Sequence, residues 1–358
     1  MSETSTTILV AMSGGVDSST AAALLLQQGC DVVGVTMRIP RYGAETGNER
    51  SCCGQKGAED ARRVARELGI PFYVLNYREK FEQTVMENFR REYERGRTPN
   101  PCVRCNKWLK FGFLQDTARA LDAEAVATGH YVRRHRNEDT GRWELHTGMD
   151  DDDQSYFLFS LSQQQIADAR FPLGELSKEQ VRQTAHSLSL PVHDKPGSTD
   201  LCFLPSGRYR EVLRGQAPEL FEPGPIVHVS GKELGQHEGV AAYTIGQRRG
   251  LGVAWSEPLY VVRLIPEENR VVVGERDHIF RREMEVDELN WVALPGLESE
   301  RRAVVKIRFQ HAGAPATLSP MDSGCVRVVF DEPQSALTPG QAAVFYDGDR
   351  VLGGGFIA

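Results

Sequence analysis

Ser13-Gly14-Gly15-Val16-Asp17-Ser18-Ser19 joins a short apolar run over residues 8–10 to an Ala/Leu-rich run over residues 20–28. This order predicts a strand, a tight turn and a helix. The two glycines allow the backbone to approach an anion closely, and the N–H groups at the start of the helix would point at a phosphate. No Gly-Lys-Ser/Thr follows at the spacing of a Walker A loop. The stretch therefore predicts a phosphate-binding loop of another class.

The first 130 residues alternate strand-like and helical runs. Predicted strands cover residues 31–37, 71–75 and 125–128, and predicted helices cover residues 57–68, 78–95 and 106–121. Such alternation predicts an α/β fold with a doubly wound parallel sheet, whose ligands bind at the carboxyl ends of the strands. The phosphate loop follows the first strand, so it lies at such an end.

The pattern changes after about residue 222, where short alternating runs are separated by Gly, Pro, Asn or Asp. This is typical of all-β structure. Earlier in the chain, a hairpin is predicted over residues 132–147, and a helix is predicted to begin at Ser177, where Gln180 completes a capping box. We predict an α/β domain over residues 1–215, a small central domain over residues 216–283, and a C-terminal β-barrel over residues 284–358.

Composition narrows the class of protein. The chain has 358 residues, of which 40% are apolar and 25% charged, which is ordinary for globular proteins. No apolar run is long enough to span a membrane, and no basic leader precedes the first strand, so we expect a cytoplasmic protein without membrane contact. Seven cysteines in such a compartment indicate catalysis, metal binding or burial more than a disulfide framework. Cys52 and Cys53 are adjacent and pair poorly, so we predict that they are not catalytic.

Charge is unevenly distributed along the chain. The net charge is −7, which excludes a wholly basic nucleic-acid binder. Residues 90–110, however, contain seven basic and two acidic side chains, a local charge of about +5. Arg248 and Arg249 form a second basic cluster. Such segments can hold RNA phosphates in an acidic protein, and the alternative is a solvated helix face.

Cys102 and Cys105 form a Cys-x-x-Cys pair, for which three interpretations compete. A thioredoxin-like redox pair is one, and a zinc site is another, although the chain has no second pair at that spacing. The third is a nucleophilic or cluster-binding role with a further cysteine, for which Cys202 is available. Cys105 is predicted to begin a helix, where the dipole and the neighbouring Arg104 and Lys107 favour a thiolate.

Several motifs together carry a resemblance to a known family. The phosphate loop resembles that of the ATP pyrophosphatase superfamily, whose members cleave ATP to AMP and pyrophosphate and adenylate a substrate. The whole set is similar to the bacterial tRNA-specific 2-thiouridylases. Its other members are Gly96-Arg97-Thr98-Pro99-Asn100-Pro101, Ala127-Thr128-Gly129-His130-Tyr131, Asp153-Gln154-Ser155-Tyr156-Phe157, Cys202-Phe203, Thr244-Ile245-Gly246-Gln247-Arg248-Arg249-Gly250-Leu251-Gly252 and Thr338-Pro339-Gly340-Gln341-Ala342.

The resemblance implies an ATP pyrophosphatase catalytic domain of the adenine-nucleotide α-hydrolase type over residues 1–215 and a tRNA-binding role for the central domain over residues 216–283. It also assigns roles by position. The residues that it places at ATP are Ala11, Met12, Ser13, Gly14, Gly15, Val16, Asp17, Ser18, Met37 and Gly129. Those that it places at tRNA are Asn100, Pro101, Cys102, His130, Asp152, Asp153, Gln154, Arg308, Phe309 and Gln341, to which we add the basic pair Arg248 and Arg249. Cys105 matches the family's nucleophile, and Cys202 matches the cysteine that carries a persulfide.

The implied reaction is adenylation of the C2 oxygen of the wobble uridine by ATP with Mg²⁺, followed by sulfur transfer that gives 2-thiouridine, AMP and pyrophosphate. Asp17 is a Mg²⁺ ligand by analogy. Many family members carry Asp where this chain has Cys102. Cys102, Cys105 and Cys202 form a three-thiol set that can hold a [4Fe-4S] cluster, so persulfide and cluster chemistry both stay open. The implied partners are the tRNA anticodon loop and a sulfur-donor protein or cysteine desulfurase relay, and we expect a monomer.

Two other classes of function are compatible with the phosphate loop. One is another adenylating enzyme of the superfamily, such as an amidotransferase-type synthetase or tRNA lysidine synthetase. That alternative leaves Cys105 and Cys202 without a role, so serine at both positions would spare activity. The other is a non-catalytic tRNA-binding protein whose fold is stabilised by a nucleotide. It predicts no release of AMP from ATP when tRNA and a sulfur donor are present.

Overall fold

A computed structural model describes residues 6–42, 55–150, 152–196, 201–204 and 208–358. The predictions for Cys52, Cys53 and the segment 197–200 before Cys202 lie outside these residues. The chain forms two compact units, each built from discontinuous segments. The first comprises Met1–Val85, Cys102–Gly207 and Asp349–Val351, and the second Met86–Pro101, Arg208–Gly348 and Leu352–Ala358.

The first unit contains a parallel sheet and a β-hairpin. Its strands are β1 Thr7–Ala11, β2 Asp31–Arg38, β3 Phe72–Asn76, β4 Ala125–Ala127, β5 Val132–Arg136, β6 Trp143–Thr147 and β7 Ala169–Arg170. Among the described residues, the parallel sheet has the order β3-β2-β1-β4-β7. The chain reverses its direction across this sheet between β1 and β4, and the crevice at such a switch point is where doubly wound folds bind ligands. The predicted α/β fold is confirmed.

The described helices belong partly to the first unit, where α1 packs on the sheet, and partly to the second. In chain order they are α1 Val16–Gln27, α2 Gln55–Glu67, α3 Arg78–Phe81, α4 Glu87–Glu94, α5 Pro101–Cys105, α6 Leu114–Ala120, α7 Gln163–Ala167, α8 Lys178–Ser187 and α9 Tyr209–Gln216. Ser177 and Gln180 form the predicted capping box at the start of α8. The core beside α1 includes Val10, Ala22 and Val32, all buried. Small alanines on α1 let the helix approach β1 and β2 closely.

Two predicted helices are interrupted by π-helical stretches. Glu82–Met86 separates α3 from α4, and Asn106–Phe113 separates α5 from α6. In the second case the side-chain amide of Gln165 donates hydrogen bonds to the carbonyl oxygens of Lys107, at 2.8 Å, and Phe111, at 2.6 Å. An outside donor that takes helix carbonyls distorts the i→i−4 ladder. The chain is thus helical over residues 78–94 and 106–120, as predicted, but each helix contains a π-helical stretch that the sequence pattern did not indicate.

The second unit is built mainly from β-strands, as the alternating pattern predicted. The strands are β8 Gly224–His228, β9 Glu233–His237, β10 Tyr260–Ile265, β11 Arg270–Gly274, β12 Phe280–Trp291, β13 Arg301–Lys306, β14 Ala314–Pro320, β15 Val326–Ser335, β16 Ala342–Asp347 and β17 Arg350–Ile357. The first four form a sheet of order β10-β11-β8-β9. The last six form a barrel of order β12-β15-β14-β13-β16-β17, closed by pairing of β12 with β17.

Side chains alternate along the barrel strands, as a closed sheet with a packed interior requires. On β15, Val326, Val328 and Phe330 are buried in the barrel core. Arg327 between them is exposed and pairs with Glu283 on β12. Separately, within the described ranges no helix is both long enough and apolar enough to cross a membrane.

Glu275, just after β11, joins three parts of the second unit. Its carboxylate accepts hydrogen bonds from Trp255 Nε1 at 2.9 Å and faces His228 Nε2 at 3.1 Å. Its own backbone N–H, followed by Trp255 and His228, lowers the pKa of Glu275 to about 2. The ionised carboxylate is therefore the form that the fold stabilises.

We expect Glu275→Gln to lower the Tm at pH 6–7 and to have less effect at pH 3. The pKa of Glu275 is lower in the folded state than its ordinary value of 4.5, so its stabilising contribution is full above that value and is lost as pH falls toward about 2. Thermal unfolding of both proteins between pH 3 and pH 7 measures the difference. A Tm gap that stays constant across this range would contradict the assignment.

Candidate nucleotide site and cysteine segments

The phosphate loop is held by its own hydroxyl groups. The Ser13 N–H donates to Ser18 Oγ at 3.1 Å, and the Gly15 N–H donates to Ser13 Oγ at 3.3 Å. Ser19 Oγ donates to the Gly15 carbonyl at 2.8 Å. Gly15 is the N-cap of α1 and offers no side-chain cap to it. The start of α1 therefore presents backbone N–H groups and the positive end of its dipole to an anion.

Two glycines bring the loop against its neighbours. Gly14 has φ +73°, and a Cβ there would lie 2.1 Å from the Gly57 carbonyl oxygen on α2. Gly129 follows β4, and a Cβ there would lie 2.7 Å from both the Asp17 carbonyl carbon and the Ser18 nitrogen. The structure thus places Gly129 directly against the start of α1, beside the other residues predicted to hold ATP.

The remaining residues predicted to hold ATP lie on β1 and β2. Ala11 ends β1, and the Met12 N–H donates to the Val35 carbonyl at 2.7 Å. The Met12 carbonyl accepts from Thr36 Oγ1 at 2.7 Å. Met37 follows on β2 and is largely buried. The predicted adenine contact therefore lies on the strand that fixes the entry to the phosphate loop.

Sequence reasoning missed two lysines at this loop. Lys178 Nζ lies 2.6 and 2.7 Å from the two carboxylate oxygens of Asp17, and Lys195 Nζ lies 2.8 Å from the Gly14 carbonyl oxygen and 2.8 Å from Asp60 Oδ2. They stand 161 and 181 positions along the chain from their loop partners. The available signal was indirect: a phosphate loop without a basic residue needs cations from elsewhere. Asp17, predicted to hold Mg²⁺, is ion-paired here.

Tyr131 is the second group at Asp17, to which its O–H donates at 2.7 Å. Burial, and then the Asp17 carboxylate, raise the pKa of Tyr131, so the phenol keeps its proton. The neighbouring His130 lies 2.7 Å from Thr128 Oγ1 through its Nδ1. Burial, and then Lys110, lower the pKa of His130 well below its ordinary value, so its ring is neutral at pH 7. A tRNA contact by His130 would thus be a hydrogen bond or ring contact without charge attraction.

The predicted tRNA loop at 152–154 is tied to the same region. The Gln154 N–H donates to the Tyr131 carbonyl at 2.9 Å, and Gln154 Oε1 accepts from the Tyr131 N–H at 3.4 Å. Asp153 accepts from the backbone N–H groups of Gly148 and Ser155. Asp153 and Gln154 therefore shape the loop, whereas Asp152 is exposed beside them.

The first cysteine segment differs from its prediction. The helical run begins at Pro101, a residue favoured at the first helical position, and Cys105 ends α5. Cys102 thus lies in the first turn and Cys105 beyond it. Because the dipole acts mainly within the first turn, it favours negative charge at Cys102 more than at Cys105. The prediction that Cys105 begins a helix was wrong. Both cysteines are partly buried.

The second cysteine segment is anchored by its neighbour Phe203. The Phe203 ring packs edge-on against Phe81, with centroids 5.1 Å apart, and its carbonyl accepts from the Tyr42 N–H at 3.2 Å. Phe203 is 3% exposed, whereas Cys202 is only partly buried. Burial of Phe203 therefore fixes the chain immediately beside Cys202 while leaving Cys202 accessible in part.

An iron-sulfur cluster requires its ligands to converge on one point. Among the described residues, which include Cys102, Cys105 and Cys202, no three His, Cys, Asp or Glu side chains converge in a way that could hold a metal ion. The described residues therefore give no support to a three-thiol [4Fe-4S] cluster.

The basic segment over residues 90–110 is less open to RNA than its charge predicted. Arg90 pairs with Glu87 and Glu94. Arg97 pairs with Glu92 at 2.8 Å, and Arg104 is buried with its guanidinium 5.2 Å from the Trp108 ring centroid. These three arginines make contacts within the protein, and RNA binding by the other basic side chains of the segment stays a prediction.

In the second unit, Gln341 is placed at the predicted base-contacting segment. Its side-chain amide donates to the carbonyl oxygens of Thr98, at 2.9 Å, and Pro99, at 3.2 Å, immediately before Asn100 and Pro101. The other predicted tRNA contacts of this unit, namely Arg248, Arg249, Arg308 and Phe309, are all exposed. Gln341 therefore stabilises the segment that leads to Asn100. Sequence spacing alone did not reveal this contact.

A doubly wound parallel sheet with a glycine-rich anion loop at its switch point defines an α/β nucleotide-binding protein. The chain matches the tRNA methyl transferase HUP domain over residues 6–206, the tRNA methyl transferase PRC-barrel domain over residues 211–275 and the aminomethyltransferase beta-barrel domain over residues 281–357. It belongs to the tRNA-specific 2-thiouridylase family, which confirms the resemblance.

Relatives named tRNA-specific 2-thiouridylase MnmA carry this assignment. Those of Heliobacterium modesticaldum and Rickettsia felis are each 48% identical, over 98% of this chain and 92% and 96% of theirs. That of Moorella thermoacetica is 46% identical over 98% of both chains. Solved structures of a 4-thiouridine synthetase–RNA complex with bound ATP and of NMN synthetase from Francisella tularensis each align over 60% of this chain. The alignment with the 4-thiouridine synthetase covers 51% of that chain, with 18% identity and a TM-score of 0.36. The alignment with NMN synthetase covers 77% of that chain, with 15% identity and a TM-score of 0.34.

Proposed function

We propose that this chain is an ATP-dependent tRNA uridine 2-sulfurtransferase, which adenylates the C2 oxygen of the wobble uridine and replaces that oxygen with sulfur. The observation that carries the proposal is 46–48% identity, over 98% of the chain, to proteins named tRNA-specific 2-thiouridylase. The phosphate loop at the switch point of the sheet supports the ATP-dependent half of the reaction.

Adenylation converts the C2 oxygen of the wobble uridine from a poor leaving group into a good one. The uridine C2 oxygen would attack the α-phosphorus of ATP, the α–β phosphoanhydride bond would break, and pyrophosphate would leave into the loop at Ser13–Ser19. Backbone N–H groups at the start of α1 stabilise that negative charge. Mg²⁺ supplies further charge neutralisation when it accompanies the nucleotide. The wobble base must leave the anticodon stack to reach this pocket, since RNA is read through such splayed bases.

The sulfur step needs two thiols and one external reductant. The terminal sulfur of a Cys202 persulfide would attack C2, and AMP would leave with the former C2 oxygen. The Cys105 thiolate would then attack the Cys202 sulfur, which breaks the S–S bond, leaves sulfur on C2 and forms a Cys105–Cys202 disulfide. The sulfane sulfur is thereby reduced by two electrons as two thiols are oxidised. An external dithiol reduces the disulfide, and a sulfur-donor protein or cysteine desulfurase relay restores the persulfide.

The test is a reaction with purified protein, ATP, Mg²⁺, a sulfide or persulfide source and a tRNA transcript with uridine at the wobble position. Nucleoside mass spectrometry should find 2-thiouridine, with one AMP and one pyrophosphate per sulfur. A transcript with cytidine at that position is the control and should acquire no sulfur. AMP release coupled to attachment of an amine to the substrate would favour another adenylating enzyme. Binding of tRNA without release of AMP would favour a non-catalytic protein.

The tRNA-binding role of the central domain is supported by a cationic groove in the second unit. The groove has a volume of about 590 Å³ and is lined by Arg263 on β10, Arg270 on β11, Arg281 on β12 and His278. Pro339, whose carbonyl accepts from the Thr98 N–H at 2.8 Å, also lines it. Arg263 and Arg281 complement the charge of RNA phosphates, whereas Arg270 pairs with Glu268 at 2.6 Å, and the groove adjoins the segment before Asn100.

We expect Arg263→Ala and Arg281→Ala each to weaken tRNA binding and to reduce the slope of log affinity against log salt by about 1, because each removes one phosphate contact. Filter binding over a range of salt concentrations measures both effects. Arg302→Ala is the matched control, since Arg302 pairs with Asp331 and does not line the groove. Unchanged slopes for both groove variants would rule out phosphate contacts there.

We extend the proposal to the organisation of the protein. The catalytic domain would cover residues 1–215, the central tRNA-binding domain residues 216–283 and the barrel residues 284–358. The protein would act as a cytoplasmic monomer. No step passes through an iron-sulfur cluster, since no site for a metal ion is found among the described residues.

A further inference from the structure

Cys105, the proposed nucleophile, lies where one kind of helix changes into another. It ends α5, and the π-helical stretch Asn106–Phe113 begins at the next residue. A π-helix forms its hydrogen bonds between residues i and i+5, and such stretches occur frequently at functional sites. One residue of an α-helix corresponds to about 100° of rotation and about 1.5 Å of rise. The register of this stretch therefore sets the direction in which Cys105 faces relative to α6.

Gln165 on α7 holds the π-helical stretch through its side-chain amide. Its Nε2 lies 2.8 Å from the Lys107 carbonyl oxygen and 2.6 Å from the Phe111 carbonyl oxygen, so it donates to both. In a regular α-helix the Lys107 carbonyl would instead accept from the backbone N–H of Phe111. The Gln165 amide thus binds a carbonyl group that the α-helical pattern would use, and it favours the wider turn.

Gln165 is itself fixed from two directions. Its Oε1 accepts from the Ser162 N–H at 2.9 Å, as part of the capping box of α7. Its backbone carbonyl accepts from the side-chain amide of Gln115 on α6 at 2.8 Å, and Gln115 is 2% exposed. Both the oxygen and the nitrogen of the Gln165 side chain have partners, so the side chain can hold the helix in one register.

The two ends of the π-helical stretch are also held. At its start, Asn106 is 2% exposed, and its Nδ2 donates to the Phe157 carbonyl at 3.2 Å. At its end, the Phe113 carbonyl accepts from the Tyr77 O–H at 3.1 Å. A change of register between these two contacts would have to break one of them, and the contact at Asn106 lies directly beside Cys105.

We propose that Gln165 is a positioning residue for sulfur transfer, which fixes the direction of the Cys105 thiol. The assignment rests on the proposed role of Cys105 in thiolation. Without the Gln165 amide, the Lys107 carbonyl accepts from Phe111 as in an α-helix, and Cys105 turns away from the sulfur that it attacks. A reacting group displaced by about 1 Å can lose about 100-fold in rate, so the effect falls on the chemical step.

The test compares Gln165→Met with the wild type in the tRNA thiolation assay. Methionine keeps the length of the side chain but donates no hydrogen bond. We expect kcat to fall by about 10- to 100-fold while the KM values for ATP and tRNA stay within about threefold, because substrate binding does not depend on the direction of Cys105. Alkylation of Cys105 by iodoacetamide, measured by peptide mass spectrometry against Cys325 in the same sample, should also change in rate.

Ser162→Ala separates positioning from stability. It breaks the same capping box but leaves the Gln165 amide on its two carbonyl groups, so it should lower the Tm and keep kcat. An equal loss of kcat in Ser162→Ala would overturn the proposal. A kcat for Gln165→Met within about threefold of wild type would overturn it as well.

Two further provisions keep the proposal falsifiable. If Gln165→Met folds poorly, Gln165→Glu keeps the acceptor of the capping box but donates nothing to the helix. Gln164→Glu carries the same charge at an exposed neighbouring position on α7 and is its control. A wild-type protein that forms no 2-thiouridine contradicts the proposed function instead. In that case an unchanged rate of Cys105 alkylation in Gln165→Met would still overturn the positioning role.

Discussion

Cys105→Ser is expected to lower the rate of tRNA thiolation by about a thousandfold or more, because a serine hydroxyl cannot replace a thiolate nucleophile. ATP binding should be unchanged. The predicted ATP residues lie on β1, α1 and β2 and after β4, whereas Cys105 lies at the end of α5. The measurements are initial rates of 2-thiouridine formation by mass spectrometry and ATP affinity by calorimetry.

Three further variants sharpen this prediction. Cys202→Ser should show the same loss of thiolation, because it removes the persulfide carrier. Cys325→Ser is the matched control, since Cys325 is also partly buried but lies before β15 in the barrel. Cys102→Asp should keep most of the activity, because many family members carry Asp there. Full activity of Cys105→Ser would refute the nucleophile assignment. If Cys102→Asp lost both its activity and its bound iron, that result would favour the cluster.

Gly14→Ala is expected to weaken ATP binding by about 10- to 100-fold, the scale for loss of a hydrogen bond to a charged phosphate. Gly14 has φ +73°, which disfavours any side chain, and an added Cβ would lie 2.1 Å from the Gly57 carbonyl oxygen. The loop must therefore shift away from α2, which moves the N–H groups that face the phosphates. Calorimetric titration with ATP, together with the Tm, measures the effect.

Gly29→Ala separates the steric overlap from the backbone strain. Gly29 has φ +82°, but a Cβ there meets nothing within 4 Å. This variant should lose about 1 kcal/mol of folding free energy from strain alone and bind ATP as the wild type does. Normal ATP binding by Gly14→Ala would contradict the close approach of the loop to α2. Equal losses of ATP binding in both variants would show that strain alone is responsible.

Local features of this protein were predictable because their causes lie within a few residues. The capping box at Ser177 needs only a hydroxyl and an amide three positions apart. The phosphate loop needs only two glycines between a strand and a helix. The alternation of buried and exposed residues on β15 follows from the pleat of a strand. The motifs also indicated the family, because they are read from residue type and spacing.

Other features depend on which distant segments pack together. The π-helical stretch after Cys105 follows from the Gln165 side chain, which comes from α7. Arg97 belongs to the most basic segment, yet it pairs with Asp287 at 3.6 Å and donates to the Ile357 carbonyl at 3.1 Å. Both partners lie far from Arg97 in the chain, so no local sequence pattern indicates these contacts. The net charge counted over residues 90–110 therefore overestimated the surface available to RNA.

The amino-acid sequence alone determined the phosphate loop, the order of strands and helices and the cysteines that carry the proposed sulfur chemistry, since each follows from residue type and short spacing. Tertiary structure alone decided that Lys178 and Lys195 supply positive charge to the loop and that the three cysteines do not converge as metal ligands. The physical reason is that charges and thiols far apart in the chain acquire partners only when buried apolar surfaces have fixed the elements that carry them.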